Sequence, residues 1–205
     1  MEIINFSGLP ILIIHNTYDI SKNEINFIKN LEYVENEHEN CKGLNFSKNK
    51  YILQVKKLKK LKETFDLKLN HYTKNVLQIN NNFLLKNSWT TLQFGKTTHP
   101  AHVHPNVLLS IVYYVECDNG NILFTRDRSL LAEGFHFDYD IIEHNQYNSS
   151  SFDLKVKTND LIIFPAWLRH QASNNSIDKK RYVIGANYFI EGKIGNDKNA
   201  AYLKI

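Results

Sequence analysis

The chain from about residue 80 to 190 is a series of short β-type segments with no helical segment between them. The segments are FLLKNSWTTLQF, LLSIVYYVE, NILFTR, FDLKVK, DLIIFPA and RYVIGANYFI. They are rich in β-branched and aromatic residues, and Asn, Gly, Asp or Pro turns separate them. A parallel α/β sheet needs a long crossover, usually a helix, between successive strands. The pattern therefore predicts a mainly β fold, either a sandwich or a barrel-like jelly roll.

The first 80 residues contain one predicted strand and two predicted helices. PILIIHN at 9–15 is typical of a short strand, and SKNE at 21–24 is a capping box that opens the first helix. After a polar, Asn-rich stretch to about residue 50, apolar residues three to four apart predict the second helix. These are Leu58, Leu61, Phe65, Leu69, Tyr72 and Val76. We expect the helices to pack on one outer face of the β fold.

The length of 205 residues and the hydrophobic content of 42% fit one globular domain. We expect a helical N-terminal part at about 16–80, a β core at about 80–190 and an insertion at about 129–152. The insertion is polar and turn-rich, with a short strand predicted at FHFDY. Because the jelly roll needs no strand from it, we expect the segment from Arg126 to Ser151 to form a substrate-facing wall or lid. An edge hairpin that only covers the sheet is the alternative that the sequence leaves open.

The composition argues against nucleic-acid, membrane and disulfide-dependent proteins. The net charge is +4, and the lysine run KKLKKLKE at 56–63 lies on a helical pattern, which predicts a solvated helix face. LPILII is too short to span a bilayer. Cys41 and Cys117 give no disulfide framework, so a cytoplasmic location is expected. We expect no nucleic-acid or membrane partner, and a homo-oligomer stays open.

Three histidines lie within HPAHVHPN, residues 99–106. On an extended segment His102 and His104 point to the same face, because they are two residues apart. That is the geometry with which a pair of histidines chelates one metal. His99, three residues before His102, is expected on the opposite side. The pair alone leaves two interpretations open, a metal site and a solvent-exposed loop.

Two later residues favour the metal site. His170 ends DLIIFPAWLRH, so three histidines on β-strands could hold one metal and leave coordination positions open, as a catalytic metal requires. Arg181 opens the next strand, which should run back beside His170. Its guanidinium is suited to gripping a carboxylate. Asn187 shares the face of Arg181 and would look into the same cavity.

As an ordered set, five motifs resemble the 2-oxoglutarate- and Fe(II)-dependent oxygenases, and most closely a small prolyl-hydroxylase-like family of marine bacteria and phages. The motifs are NSW at 87–89, HVHPNVLLSIVYYVE at 102–116, GNILFTRDR at 120–128, DLIIFPAWLRH at 160–170 and RYVIGANYF at 181–189. The resemblance implies a double-stranded β-helix with Fe(II) in its mouth. It also implies that 2-oxoglutarate and O2 are used to hydroxylate a peptide side chain or a small molecule.

The resemblance implies metal ligands at His102, His104 and His170. The superfamily has an acidic residue where this chain has His104, which leaves more positive charge on the iron. Imidazole-only sites also accept Zn or Cu.

The resemblance also implies that Arg181 binds the distal carboxylate of 2-oxoglutarate. In prolyl-hydroxylase-like members a tyrosine on the strand after the first motif shares this role, and we assign it to Tyr113 in preference to Tyr114. Asn187, through its shared face, is a further residue expected at the cosubstrate. Asn106, just after the metal motif, is a candidate for contact with the substrate.

Two alternatives remain open on the sequence. Pro165, His170 and Asn174 echo the second motif of the cupins, which use metals without 2-oxoglutarate, and the His102–His104 pair echoes the first. A cupin normally has a Glu four or five residues after that pair, where this chain has leucines. The other alternative is a non-catalytic jelly-roll binding protein.

Overall fold

The computed structural model describes residues 1–6, 8–37, 41, 43–94, 97–118, 120–126, 140–145, 148–172, 179–198 and 200–205. Its strands are β1 (Glu2–Phe6), β2 (Leu9–Ile14), β3 (Tyr33–Glu35), β4 (Leu44–Ser47), β5 (Asn82–Gln93), β6 (His99–His102), β7 (Leu109–Glu116), β8 (Gly120–Thr125), β9 (Ser151–Val156), β10 (Leu161–Pro165), β11 (Arg169–Ala172), β12 (Arg181–Glu191), β13 (Lys193–Ile194) and β14 (Leu203–Lys204). The helices are α1 (Lys22–Lys29) and α2 (Lys59–His71), with a π-helical turn at Tyr72–Val76. Strands predominate, as predicted.

Two antiparallel sheets form the body of the protein. The large sheet has the order β1-β2-β10-β7-β12-β5-β4-β3, and the small sheet has the order β6-β11-β8-β9. Neighbouring strands are mostly distant in sequence, as in a jelly roll, where the chain crosses repeatedly between two sheets. A third pair, β13 and β14, lies at the C-terminal end. The prediction of a mainly β jelly roll is confirmed.

Helix α2 packs on the outer face of the large sheet, as predicted, and Ile28 of α1 belongs to the same buried cluster. The capping box that opens α1 is present: the Ser21 hydroxyl accepts from the Glu24 backbone N–H, and the Glu24 carboxylate accepts from the Ser21 backbone N–H at 2.9 Å. The apolar stripe of α2 packs on side chains of the sheet, and the rings of Phe65 and Tyr113 meet edge to face at 5.6 Å. None of the described helices is long and apolar enough to cross a membrane.

The N-terminal part contains more β structure than the sequence pattern indicated. The hairpin of β1 and β2 turns at Gly8, whose φ of 82° favours glycine. Strands β3 and β4 lie in the polar stretch before residue 50, where no strand was predicted, and β4 pairs with β5. These strands are only three and four residues long, which is too short for an apolar alternation to mark them in the sequence. The predicted strand FHFDY lies outside the described residues.

Strand β7 is buried on both of its faces, and this determines what each of its side chains contacts. Leu109, Ile111, Tyr113 and Val115 face the helices, whereas Val112 and Tyr114 face the small sheet. A strand buried on both sides is a nearly continuous apolar run, which Ser110 interrupts here, so the sequence pattern does not assign its two faces. The space between the two sheets is filled at one end by apolar side chains and opens into a cavity at the other.

Candidate metal and cosubstrate site

The structure brings three of the predicted site residues together. In the small sheet His170 of β11 lies directly opposite His102 of β6. His104 follows two residues later, and its backbone N–H donates to the carbonyl of Ala166 at 2.9 Å, which fixes this segment beside the strand that precedes β11. One ring nitrogen from each histidine lies within 4.8 Å of the others. The arrangement comes from two separate segments and converges on one point.

Backbone carbonyls orient two of the three imidazoles. The Nδ1 of His102 is 2.8 Å from the carbonyl oxygen of Pro100, and the Nδ1 of His170 is 2.9 Å from that of Leu168. A carbonyl only accepts, so each Nδ1 carries the proton and each Nε2 keeps its lone pair. This is the usual arrangement behind metal-binding histidines.

Side chains orient the third imidazole, that of His104. Its Nδ1 lies 2.7 Å from the Oδ1 of Asn187 and 2.7 Å from the hydroxyl of Ser110, and the hydroxyl itself donates to the same Oδ1 at 2.9 Å. All three residues are buried. The amide of Asn187 therefore holds the proton of His104 on Nδ1 and leaves its Nε2 free to bind.

The spacing of the nitrogens fits a transition metal. The Nε2 atoms of His102 and His104 are 3.3 Å apart. Two nitrogens that each bind one ion at about 2.1 Å, at roughly right angles or somewhat wider, would be separated by about 3.0–3.3 Å. The donor set is three neutral imidazoles, which suits Fe, Zn, Cu or Ni. The residues present therefore fit a divalent metal ion with open coordination positions.

Burial keeps these imidazoles neutral. It lowers the pKa of His104 to about 4, with a further contribution from His102. It also lowers the pKa of His102, and it lowers the pKa of His170 well below its usual value, again helped by the neighbouring histidines. Neutral imidazole is the form that binds metal, so proton competition is weak near pH 7.

These pKa shifts predict that the metal-free protein loses stability in mild acid. A histidine whose folded pKa lies below its unfolded value of about 6.5 contributes its full stability above that value and loses it as the pH falls towards the folded pKa. The loss is about 1.4 kcal/mol per pH unit for each such histidine. Urea unfolding of the metal-free protein between pH 6.5 and 5 should show this slope. His104→Gln should reduce the slope of unfolding free energy against pH by the contribution of one histidine. An unchanged slope would contradict the conclusion that burial lowers the pKa of His104.

A cavity that is partly open to solvent runs from the histidines between the two sheets. Strands of the large sheet form one wall, and the small sheet forms the other. The cavity is lined by Trp89, Thr91, Gln93, His99, His102, His104, Val112, Tyr114, Ile122, His170, Ala172, Arg181, Val183 and Gly185. These described lining residues include no carboxylate. A cavity with this lining favours an anionic ligand.

Arg181 supplies a buried positive charge to this cavity. Its side chain is 1% exposed, and its Nε donates to the Oε1 of Gln93 at 2.7 Å. The expectation that its strand runs beside His170 was wrong, because β12 lies in the large sheet between β7 and β5. Arg181 therefore enters the cavity from the wall opposite β11. The jelly roll places successive strands in different sheets, so proximity along the chain did not give the neighbour.

The role assigned to Tyr113 is corrected by the structure. Its hydroxyl donates to the Oδ1 of Asn159 at 2.7 Å, and its ring packs on Phe65 beneath the helices, away from the cavity. Tyr114 is the tyrosine of this strand that lines the cavity. VYYV places one tyrosine on each face, and since both faces are buried the sequence could not decide between them.

Asn187 and Asn106 also differ from what was expected of them. Asn187 does share a face with Arg181, but its amide binds His104 and it is not among the lining residues. Asn106 is exposed on the turn after His104, with a φ of 64°, a conformation that Asn tolerates well. It too is not among the residues that line the cavity. Asn174, on which the cupin alternative depends, lies outside the described residues, as do residues 127–139 and 146–147 of the expected lid.

His99 is a cavity residue that the sequence pattern misplaced. Its ring stacks on His102 at 4.0 Å with an angle of 19°, although three-residue spacing predicted opposite faces. The pairing of β6 with β11 shifts register between these two histidines, which breaks the alternation. Pro100 lies between the two histidines and is the sequence feature that indicates this irregularity, because proline in a strand occurs at edges and bulges.

Trp89 also lines the cavity, and the position of its indole depends on a glycine. Its indole meets the ring of His104 edge to face at 5.5 Å. A methyl group on Gly185 would lie 2.6 Å from the indole, so only glycine leaves room for the ring there. The sequence shows NSW as a motif, but it does not predict that Trp89 lies opposite Gly185. That contact follows from the register between β5 and β12.

The contacts of Asn187 predict that it tunes metal affinity. Asn187→Ala should weaken metal binding by about ten- to hundredfold, because a partner that orients a ligand typically contributes that much. Asn87→Ala is the control, since Asn87 lies opposite on β5 and makes no described hydrogen bond to His104. Competition with a chelator for Ni(II) measures both variants. Equal affinities in the two would contradict the assigned role.

Comparison with known proteins agrees with this site. Residues 87–187 match the family model described as Putative 2OG-Fe(II) oxygenase. No curated protein sequence is detectably similar to the chain. The matched range begins at the NSW motif and ends at Asn187, so it contains all three histidines and Arg181.

Solved structures share the fold at low sequence identity. The α-ketoglutarate-dependent epimerase SnoN of nogalamycin biosynthesis aligns with a TM-score of 0.65 at 12% identity, over 93% of this chain and 80% of its own. A prolyl hydroxylase from Trichoplax adhaerens, in complex with a peptide fragment of hypoxia inducible factor, aligns with a TM-score of 0.60 at 12% identity. The alignment covers 90% of this chain and 84% of the prolyl hydroxylase. HygX from Streptomyces hygroscopicus, with nickel and 2-oxoglutarate bound, aligns with a TM-score of 0.56 at 10% identity. The alignment covers 90% of this chain and 84% of HygX.

These neighbours confirm the double-stranded β-helix that the sequence motifs implied. The family match covers the segments that carry the histidine cluster and the buried arginine. Residues 87–187 thus form a 2OG-Fe(II) oxygenase core, and the enzyme class of this protein is that of the 2-oxoglutarate-dependent oxygenases.

Proposed function

We propose that the protein is a non-haem Fe(II)- and 2-oxoglutarate-dependent oxygenase that hydroxylates an unactivated C–H bond of a peptide side chain or a small molecule. The observation that carries this proposal is one cavity that holds three neutral histidines and a buried arginine. The first group suits a divalent metal with open positions, and the second suits a carboxylate.

In this proposal the chain holds Fe(II) through the Nε2 atoms of His102, His104 and His170. Iron, when bound, supplies the oxidant formed from O2, while 2-oxoglutarate is converted to succinate and CO2 and one oxygen atom enters the substrate. Arg181 binds the distal carboxylate of 2-oxoglutarate, and the keto acid end faces the histidines. The apolar side chains of Val112, Ile122 and Val183 exclude water from the space between.

The charge of the site supports a dianionic cosubstrate. The three imidazoles are neutral, because burial lowers the pKa of each. The described lining residues include no carboxylate. Both the metal ion and Arg181 are therefore positive charges in a cavity of low polarity, where an opposite charge is worth most. A keto diacid supplies one negative charge at each end.

The substrate is proposed to reach the metal from the open side of the cavity. A structural neighbour binds a peptide, and another acts in nogalamycin biosynthesis, so relatives of this fold accept both large and small molecules. We propose that residues 126–151 form a lid that selects between them. Shortening 136–148 to a tight turn should leave the turnover of 2-oxoglutarate without substrate intact and should lower hydroxylation of the true substrate.

Succinate formation tests the enzyme class directly. The protein is loaded with Fe(II) without oxygen, then exposed to O2 with and without 2-oxoglutarate, and succinate is measured. Slow succinate formation that requires Fe(II), O2 and 2-oxoglutarate is the expected result, and His104→Ala should abolish it. If no succinate forms while the metal is demonstrably bound, the protein is a metal-binding jelly roll of another function.

A further inference from the structure

Arg181 lines the cavity and is packed against a glycine. Gly120 begins β8 in the small sheet, opposite the strand that carries Arg181. A methyl group on Gly120 would lie only 2.8 Å from the Nη1 of Arg181 and 2.7 Å from the Sγ of Cys117. Real methyl carbons essentially never come this close to another heavy atom, so the absence of a side chain at Gly120 makes room for the guanidinium.

The other contacts of the guanidinium fix it in this place. Gln93, which is 1% exposed, accepts a hydrogen bond from Nε at 2.7 Å. The thiol of Cys117 interacts with the arginine, and both this sulfur and the side chain of Val156 lie beside Gly120. Both of these residues are buried. Gly120, Cys117 and Val156 therefore form an end wall behind the guanidinium, which itself lines the cavity.

We propose that Gly120, together with Cys117 behind it, sets the chain length of the keto diacid that the protein binds. This inference rests on the proposed function, in which Arg181 binds the distal carboxylate. The metal end of the cosubstrate is fixed by the three histidines, which converge on one point. The depth at which Arg181 sits then decides how many carbon atoms fit between the two ends, and Gly120 sets that depth.

The proposal predicts opposite effects for two small substitutions. Gly120→Ala forces the guanidinium away from the end wall and into the cavity, which shortens the space and favours a diacid with fewer carbons. Cys117→Ala removes the Sγ atom from the wall, lets the guanidinium settle deeper and favours a longer diacid. One methylene in a fitted pocket changes affinity by about ten- to two-hundredfold.

The test uses Ni(II)-loaded protein and calorimetric titration with three keto diacids, oxaloacetate, 2-oxoglutarate and 2-oxoadipate, which have four, five and six carbons. The wild-type protein should prefer 2-oxoglutarate. Gly120→Ala should shift the ratio of the dissociation constants towards oxaloacetate by about tenfold or more, and Cys117→Ala should shift it towards 2-oxoadipate. Gly192→Ala is the matched control. It strains a glycine with a φ of 88° far from the cavity and should leave the ranking unchanged.

The outcomes separate this inference from the proposed function. If the wild-type protein binds 2-oxoglutarate but neither variant changes the ranking, the inference is overturned and the function stands. If the loaded wild-type protein binds none of the three diacids, both are overturned. Should Gly120→Ala fail to fold, Cys117→Ala decides alone, because it removes an atom rather than adding one. A uniform loss of affinity for all three acids in both variants also counts against the inference.

Discussion

His170→Ala is expected to abolish high-affinity metal binding and, with it, the formation of succinate. Loss of a residue that merely orients a ligand costs about ten- to hundredfold in metal affinity, and loss of the ligand itself should cost more. His170 is 4% exposed, lies directly opposite His102 and is one of the three histidines that converge on one point. Titration with Ni(II) or Fe(II) under anaerobic conditions measures the effect.

The control for this variant is His71→Ala, which removes a histidine from the end of α2, outside the cavity. It should bind metal as the wild-type protein does. Circular dichroism on both variants shows whether the fold is intact. Wild-type metal affinity in a folded His170→Ala variant would remove this residue from the ligand set and with it the three-histidine site.

Arg181→Ala is expected to weaken 2-oxoglutarate binding by thirtyfold or more and to leave metal affinity nearly unchanged. Truncating one partner of a buried, hydrogen-bonded charge pair costs about 2–5 kcal/mol. The guanidinium is fully buried and held by Gln93, so its charge is not screened by water. Titration of 2-oxoglutarate into the Ni(II)-loaded protein measures the first quantity, and chelator competition measures the second.

Arg169→Ala is the matched control, since Arg169 is an exposed arginine beside His170 on β11. It should bind 2-oxoglutarate normally. Arg181→Lys should recover only part of the affinity, because an ammonium cannot form two parallel hydrogen bonds to a carboxylate. Equal losses of metal and 2-oxoglutarate affinity in Arg181→Ala would instead indicate that the residue supports the fold.

The sequence predicted the parts of this site that depend on local spacing. The short β segments gave the mainly β fold, and the two-residue spacing of His102 and His104 put both side chains near one point, where His170 joins them. What could not be predicted was which wall of the cavity each later residue would occupy. Arg181 follows His170 by eleven residues but lies in the other sheet. Chain proximity carries little information in a jelly roll, where strands alternate between sheets.

The errors at single residues have a common physical cause. Alternation assigns faces only where one face is polar, and β7 is apolar on both, so Tyr113 and Tyr114 could not be told apart. A register shift between His99 and His102 defeated the same rule. The space that Gly120 provides for Arg181 is a contact between two sheets, and the sequence contains no trace of it until the strands are placed.

Strand β6 has only four residues and lies at the edge of the small sheet, where β11 is its one partner among the described strands. Short edge strands open more readily than strands in the middle of a sheet. Two of the proposed ligands lie at the end of β6 and the third lies on β11, so a bound metal would cross-link these two strands. An ion present at a hundred times its dissociation constant would raise the free energy of opening by about 2.7 kcal/mol. Iron supply would then govern how long the protein survives proteases as well as how fast it turns over.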